Sequence, residues 1–116
     1  MDTWQLEFYE TASGNRPIID FLRGLPADER RRVGRGLALL EDYGTQLGMP
    51  WVRPIQGSAL WELRIRGSNH YRVFYVTVSG RRLVALHAFG KKSEETPLRE
   101  IRTAEARLAE YRERYG

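Results

Sequence analysis

The stretch Leu60-Trp61-Glu62-Leu63-Arg64-Ile65-Arg66 decides the fold, because from its second residue onward apolar and charged side chains alternate. Side chains two residues apart in a strand point to the same face of the sheet. One face receives Trp61, Leu63 and Ile65, and the other receives Glu62, Arg64 and Arg66. The stretch is therefore predicted to be a strand with one face in the core and a charged face opposite.

Similar runs elsewhere in the chain predict a sheet. The sequence indicates further strands near Trp4–Glu10, Val52–Ile55, Tyr71–Val78 and Leu83–Phe89. The segments Gly67-Ser68-Asn69 and Val78-Ser79-Gly80-Arg81 have the composition of tight reversals. Because the connections in this half of the chain are short, neighbouring strands are expected to pair as antiparallel meanders.

Helical spacing is found before and after the main strand region. Pro17 begins a short helix over residues 17–23, and a longer helix is predicted from about Ala27 to Tyr43. In the longer helix Val33, Leu37 and Leu40 are spaced to form one buried stripe. Gly34 and Gly36 each cost about 1 kcal/mol relative to alanine, but they allow close packing against a neighbour.

Thr96-Pro97 is predicted to start a final helix, with threonine as its cap and proline in its first turn. The order of elements is then β-α-α-β-β-β-β-α. We expect residues 1–116 to form one α+β domain, with a mostly antiparallel twisted sheet, two N-terminal helices and a C-terminal helix.

Composition narrows the class of protein. The chain has 116 residues, of which 41% are hydrophobic and 29% charged, and it has no cysteine. Disulfides, thiol catalysis and cysteine-ligated metals are thereby excluded.

The sequence has no membrane span and no signal-peptide pattern, so we expect a cytoplasmic protein. It also lacks a glycine-rich phosphate loop, a nucleophile elbow and ligand-spaced carboxylates or histidines, so no metal or cofactor is expected.

Charge is unevenly distributed along the chain. Residues 51–92 include eight basic side chains and one acid, Glu62, whereas the other residues carry eleven basic and fourteen acidic side chains. A basic surface in the segment that forms most of the sheet favours a polyanionic partner.

Several side chains in this segment are candidates for binding RNA. Arg64 and Arg66 match the spacing of successive phosphates, although Glu62 is equally suited to pair with arginines on the sheet. Arg72 projects from an otherwise apolar strand and needs an anion, either Glu62 or a phosphate. Tyr71 or Tyr75 has an aromatic ring that can stack on a base.

Histidines and lysines complete the set of candidates. His87 falls on an apolar face, where a satisfied core histidine is the commoner role, and His70 falls in a turn where it can act as an acid or base. Lys91 and Lys92 follow the last strand and can contact phosphate.

Three motifs in this segment stand in a characteristic order. They are Gly57-Ser58-Ala59-Leu60-Trp61-Glu62-Leu63-Arg64, Tyr71-Arg72-Val73-Phe74-Tyr75, and Leu86-His87-Ala88-Phe89-Gly90-Lys91-Lys92 followed by Thr96-Pro97. Together they resemble the phage-derived HigB-like branch of the RelE/ParE toxin superfamily, and the likeness runs from Trp4 to about Tyr111. The resemblance implies a RelE-like domain and a small toxin encoded beside an antitoxin that often carries a helix-turn-helix. It also implies a ribosome-dependent, metal-free mRNA endonuclease.

The resemblance also implies roles for individual residues. It assigns catalysis to Arg64, Arg72 and Lys92. Residues expected to contact RNA beside them are Arg66, Lys91, Glu62, His87 and Tyr71.

This chain departs from the RelE pattern at two places, and the departures leave other functions open. Glu62 stands where a second basic residue is found, and residues 93–98 contain no tyrosine. The general acid and base are therefore unassigned. A ParE-like toxin that binds DNA gyrase without cleaving anything, and a non-toxic protein that binds nucleic acid or an antitoxin, are the alternatives.

Overall fold

The computed structural model describes residues 3–92 and 96–116. The strands are β1 (Gln5–Phe8), β2 (Val52–Pro54), β3 (Trp61–Ile65), β4 (His70–Val78) and β5 (Arg82–Lys91), and the helices are α1 (Pro17–Arg23), α2 (Ala27–Tyr43) and α3 (Leu98–Tyr115). A short 3-10 helix at Gly44–Gln46 follows α2 directly. The α+β class is confirmed, and none of the described helices is long and apolar enough to cross a membrane.

The strands form one five-stranded mixed sheet in the order β1-β5-β4-β3-β2. Strands β2 to β5 pair antiparallel with their chain neighbours, as predicted. The sequence predicted no partner for the first strand, and β1 lies parallel to β5 at the sheet edge. Two helices and three strands separate the two in the chain, so no tight turn forces them to run in opposite directions.

Helices cover both faces of the sheet. On one face α1 and α2 pack over a cluster that includes Ile18, Val33, Leu37, Leu40, Leu63, Ile65 and Val73. On the other face α3 packs over a cluster that includes Leu60, Phe74, Val76, Val84, Leu86, Ala104 and Leu108. The two faces predicted for β3 are confirmed, because Leu63 and Ile65 lie in the first cluster and Glu62 and Arg64 lie on the opposite face. That second face is closed to solvent at Glu62, which is 0% exposed.

Two details of the predicted elements also need correction. Trp61, expected in the core, is 37% exposed, since it begins β3 opposite Pro54, where the short strand β2 ends. Thr96 does not cap α3, which begins at Leu98 after Pro97. Its hydroxyl instead donates to Glu62 Oε2 at 2.8 Å.

The two helical glycines of α2 differ in their surroundings. Gly36 faces the sheet, and a Cβ placed there would lie 3.1 Å from Ile65 Cγ1. Gly34 is exposed, and such a Cβ would meet nothing within 4 Å. Only Gly36 is needed for the close approach that the sequence suggested.

We predict opposite effects of alanine at these two positions. Gly34→Ala should raise the free energy of unfolding by about 0.5–1 kcal/mol, because alanine loses less backbone entropy in a helix. Gly36→Ala should lower it by about 1 kcal/mol, because the added methyl group crowds Ile65. Urea unfolding of both variants measures the difference, and equal stabilisation by the two would contradict the described packing of α2 on β3.

Candidate functional site

The candidate site lies at the end of the sheet where β3 finishes, β4 begins and β5 finishes. Arg64 pairs directly with Arg72 across β3 and β4. His70 pairs with Lys91 across β4 and β5. Because residues two apart in a strand share a face, His70 and Arg72 lie on the same side of the sheet, which is the side that α3 covers further along.

Glu62 is the anion at the centre of this end of the sheet. Its side chain is 0% exposed, and its carboxylate accepts a hydrogen bond from Arg53 Nε at 2.9 Å. Arg72 Nε lies 3.5 Å from the same oxygen. We call Arg53, Arg64, Arg72 and Lys91, grouped around Glu62, the basic cluster. Arg53 and Arg72 contact the carboxylate, and Arg64 and Lys91 are close enough to interact electrostatically with Arg72.

Arg72 is buried in this cluster with only part of its hydrogen-bonding capacity used. The residue is 4% exposed, and its Nη1 donates to the Tyr71 carbonyl at 3.1 Å. Burial lowers the pKa of Arg72, Glu62 opposes that shift, and the charge of Arg64 adds to it. Within the described part of the chain, neither Arg72 Nε nor Arg64 Nε has a hydrogen-bond acceptor. Unpaired buried donors on adjacent cations are unfavourable, and an anion that accepted from them would relieve the cost.

The two lysines after the last strand differ in position. Lys91 is the half-buried last residue of β5. Burial, and next the charge of Arg72, lower its pKa, while Glu62 opposes the shift. Lys92, the lysine predicted to be catalytic, is exposed just beyond the strand. The structure thus brings Lys91 into the cluster and leaves Lys92 at its rim.

His70 was the weaker of the two histidine candidates in the sequence, and the structure places it beside Lys91. The prediction put His70 in a turn, whereas it is the first, exposed residue of β4. Directly opposite residues of an antiparallel pair have Cβ atoms about 5 Å apart. The side chains of His70 and Lys91 therefore start from neighbouring positions, and the pKa of Lys91 is lowered. Only the strand register, which the sequence left undefined by one or two residues, could have revealed this pairing.

His87 lies away from the basic cluster and joins the sheet to α3. Its Nδ1 accepts from Arg107 Nη1 at 3.1 Å, so its Nε2 carries the hydrogen and donates to Glu100 at 2.9 Å. The ring stacks on Phe89 with centroids 5.6 Å apart. Burial lowers the pKa of His87, and Glu100 opposes the shift. The structure describes a neutral, fully hydrogen-bonded histidine.

Tyr71 and Arg66 also lie outside the cluster. Tyr71 is buried on the opposite face, where its hydroxyl donates to Glu29 at 2.5 Å. Glu29 is itself 7% exposed and accepts from Asn69 Nδ2 at 2.7 Å. Nothing in the sequence marks Glu29 as a buried carboxylate, because α2 has many outward charges. Arg66 is exposed just after β3.

We predict that loss of the Glu62 charge destabilises the protein strongly. Glu62→Gln should lower the free energy of unfolding by about 3 kcal/mol, because Arg72 stays buried without a counter-charge. The matched control is Glu7→Gln, since Glu7 meets Arg82 at 3.1 Å with both side chains more than a third exposed. That exposed pair should contribute less than about 1 kcal/mol. Similar losses in the two variants, by denaturant unfolding, would show that Glu62 does not have this role.

We also predict a pH dependence of stability that depends on His87. The pKa of His87 in the folded protein lies below the ordinary value of 6.5. On acidification, His87 is therefore protonated in the unfolded chain before it is protonated in the folded protein. Stability should therefore fall as the pH drops below about 6.5 and level off below the folded-state pKa. His87→Gln should remove this slope and His70→Gln should keep it, in thermal unfolding measured at closely spaced pH values. A slope unchanged in His87→Gln would count against the neutral histidine described above.

Comparison with known proteins places this site within a family. Residues 20–109 match the profile described as phage-derived protein Gp49-like (DUF891). The matched region contains every member of the basic cluster, together with Glu62 and His70. No curated protein matches the chain. Since the match spans most of the sequence, this protein belongs to the family of phage-derived Gp49-like proteins.

Proposed function

We propose that this protein is the toxin of a toxin–antitoxin pair, of the RelE and HigB-like type, and that it cleaves mRNA on the ribosome. The observation that carries the proposal is the basic cluster, in which Arg53 and Arg72 share the buried Glu62 carboxylate, Arg64 pairs with Arg72 and His70 stands opposite Lys91. Membership of the Gp49-like family supports the toxin assignment. The cytoplasm is the compartment that this function requires.

RNA cleavage suits these side chains because the substrate supplies its own nucleophile. In the proposed reaction the 2′-oxygen attacks the adjacent phosphorus and the bond to the 5′-oxygen breaks. The products are a 2′,3′-cyclic phosphate and a free 5′-hydroxyl. The protein has to orient the strand, stabilise the added negative charge on phosphorus and move two protons.

Each of these tasks has a candidate in the cluster. Arg64 and Lys91 are the partly exposed cations that contact the phosphate in our proposal. Arg72 lies beneath them, held by Glu62, and acts as a positioning residue that also lowers the pKa of Lys91. A lowered lysine pKa favours proton transfer near neutral pH.

Proton transfer is assigned to the pair at the end of β4 and β5. His70 accepts the proton of the 2′-hydroxyl, and Lys91 donates its proton to the departing 5′-oxygen. In our proposal Lys92, to which the resemblance assigns catalysis, instead contacts a neighbouring phosphate, as does Arg66. The predicted antitoxin neutralises the toxin by covering this end of the sheet or by displacing α3.

Adjacent lysines provide the sharpest test of this assignment. Lys91→Ala should slow cleavage of mRNA on translating ribosomes by about 100-fold or more, as expected for loss of a general acid. Lys92→Ala should slow it by about tenfold or less, because it removes one exposed phosphate contact. The measurement is cleavage rate in a reconstituted translation system, with the 2′,3′-cyclic phosphate detected on the new ends.

Two results would overturn the proposal. One is full activity of Lys91→Ala with loss of activity in Lys92→Ala, which would move proton transfer to the exposed lysine. The other is intact mRNA with the wild-type protein, together with inhibition of DNA supercoiling by gyrase, which would indicate a binding-only toxin.

A further inference from the structure

A groove lies between α2 and the end of β3, around the sheet edge from the basic cluster. It has a volume of about 430 Å³. It opens because β2 pairs with β3 only as far as Leu63. Beyond that point Arg64 N donates to the Trp51 carbonyl at 2.8 Å, which holds Trp51 at the edge of β3.

The floor of the groove is apolar, and one of its walls is an exposed aromatic ring. Gly36, Leu39 and Ile65 contribute to the floor. Trp51 lines the groove with 48% of its surface exposed. An exposed indole beside a shallow apolar floor is a suitable stacking surface for a nucleobase.

Around this floor the groove is strongly basic. Its charged lining consists of Arg32, Arg35, Arg64, Arg66 and a single acid, Asp42. Arg32 is engaged by the Asn69 carbonyl at 3.0 Å and lies 3.9 Å from Glu29. Among the described residues no carboxylate lies within 4.0 Å of the guanidinium groups of Arg35, Arg64 or Arg66. The groove therefore has cations available to an anionic ligand.

Arg64 connects the groove to the basic cluster. It is paired with Arg72 in the sheet and also lines the groove. A strand of RNA whose phosphate lies at Arg64 would therefore reach both surfaces. This continuity, together with the indole and the size of the groove, favours a nucleotide over an acidic protein segment.

We propose that this groove binds an RNA nucleotide next to the cleaved bond, with its base stacked on Trp51 and its flanking phosphates on Arg35 and Arg66. The inference rests on the proposed function and extends it, because it makes Arg64 the point where the RNA crosses the end of β3. A base in the groove would make binding depend on RNA length and on the stacking strength of that base.

The test compares a short and a longer RNA on the 116-residue protein. Both RNAs carry 2′-O-methyl groups, so that neither can be cleaved, and binding is followed by fluorescence anisotropy. Trp51→Ala should weaken binding of a hexanucleotide by about tenfold and leave a dinucleotide unchanged, since a single stacked base is lost. Trp51→Phe should recover most of the affinity.

Two control variants show whether an effect is specific to the groove or follows from the loss of any exposed arginine or tryptophan. Trp61→Ala removes another partly exposed tryptophan, one that lines a different cavity with Leu47 and Tyr75, and should not alter binding. Arg35→Ala should weaken hexanucleotide binding more than Arg31→Ala, because Arg31 is exposed on the same helix but does not line the groove.

Two outcomes would overturn the inference. Unchanged hexanucleotide binding by Trp51→Ala and Arg35→Ala is the first. The second is that the wild-type protein binds an acidic, leucine-containing peptide, and that these variants lose the peptide but still bind RNA. The groove would then be a protein-docking site. A third result would separate the two proposals. If hexanucleotide binding depends on Trp51 but the protein cleaves no mRNA, the groove is an RNA-binding site and the proposed endonuclease activity is wrong.

Discussion

The buried carboxylate of Glu62 is the interaction on which the rest of the site depends. Arg53 and Arg72 both approach the same oxygen, at 2.9 and 3.5 Å, and Thr96 bonds the other oxygen. A lone buried arginine would be very costly, so Glu62 is what allows Arg72 to stay inside the sheet. Arg72 in turn lies opposite Arg64 and lowers the pKa of Lys91. One acid thus holds together a group of cations that repel one another.

The position of α3 determines which part of the sheet is covered and which basic side chains are left accessible to solvent. The helix buries apolar side chains of β4 and β5 and is joined to the sheet through His87, which bonds both Glu100 and Arg107. Beyond Phe89 the same face carries Lys91 and His70 in place of apolar residues. The sheet therefore has a covered apolar half and a basic end, and the basic end continues around β3 into the arginine-lined groove.

Much of this arrangement could be predicted from residue periodicity, and the rest depended on contacts between distant segments. The alternation in β3 correctly placed Glu62 and Arg64 on one face, and the isolated charge of Arg72 correctly indicated an anionic partner. Periodicity carries no information about which helix covers a face, so the burial of Glu62 was missed. The parallel pairing of β1 with β5 depends on strands that are far apart in sequence, and the position of Lys91 opposite His70 depends on the exact register of β4 and β5.

A structure of the protein with an uncleavable RNA dinucleotide, methylated at its 2′-oxygens, tests the central claim most directly. The account predicts that the bridging phosphate lies within hydrogen-bonding distance of Arg64 and Lys91, next to His70, with Glu62 still bound to Arg53. A dinucleotide bound on the outer surface of α3, or elsewhere with Arg64 and Lys91 untouched, would contradict it.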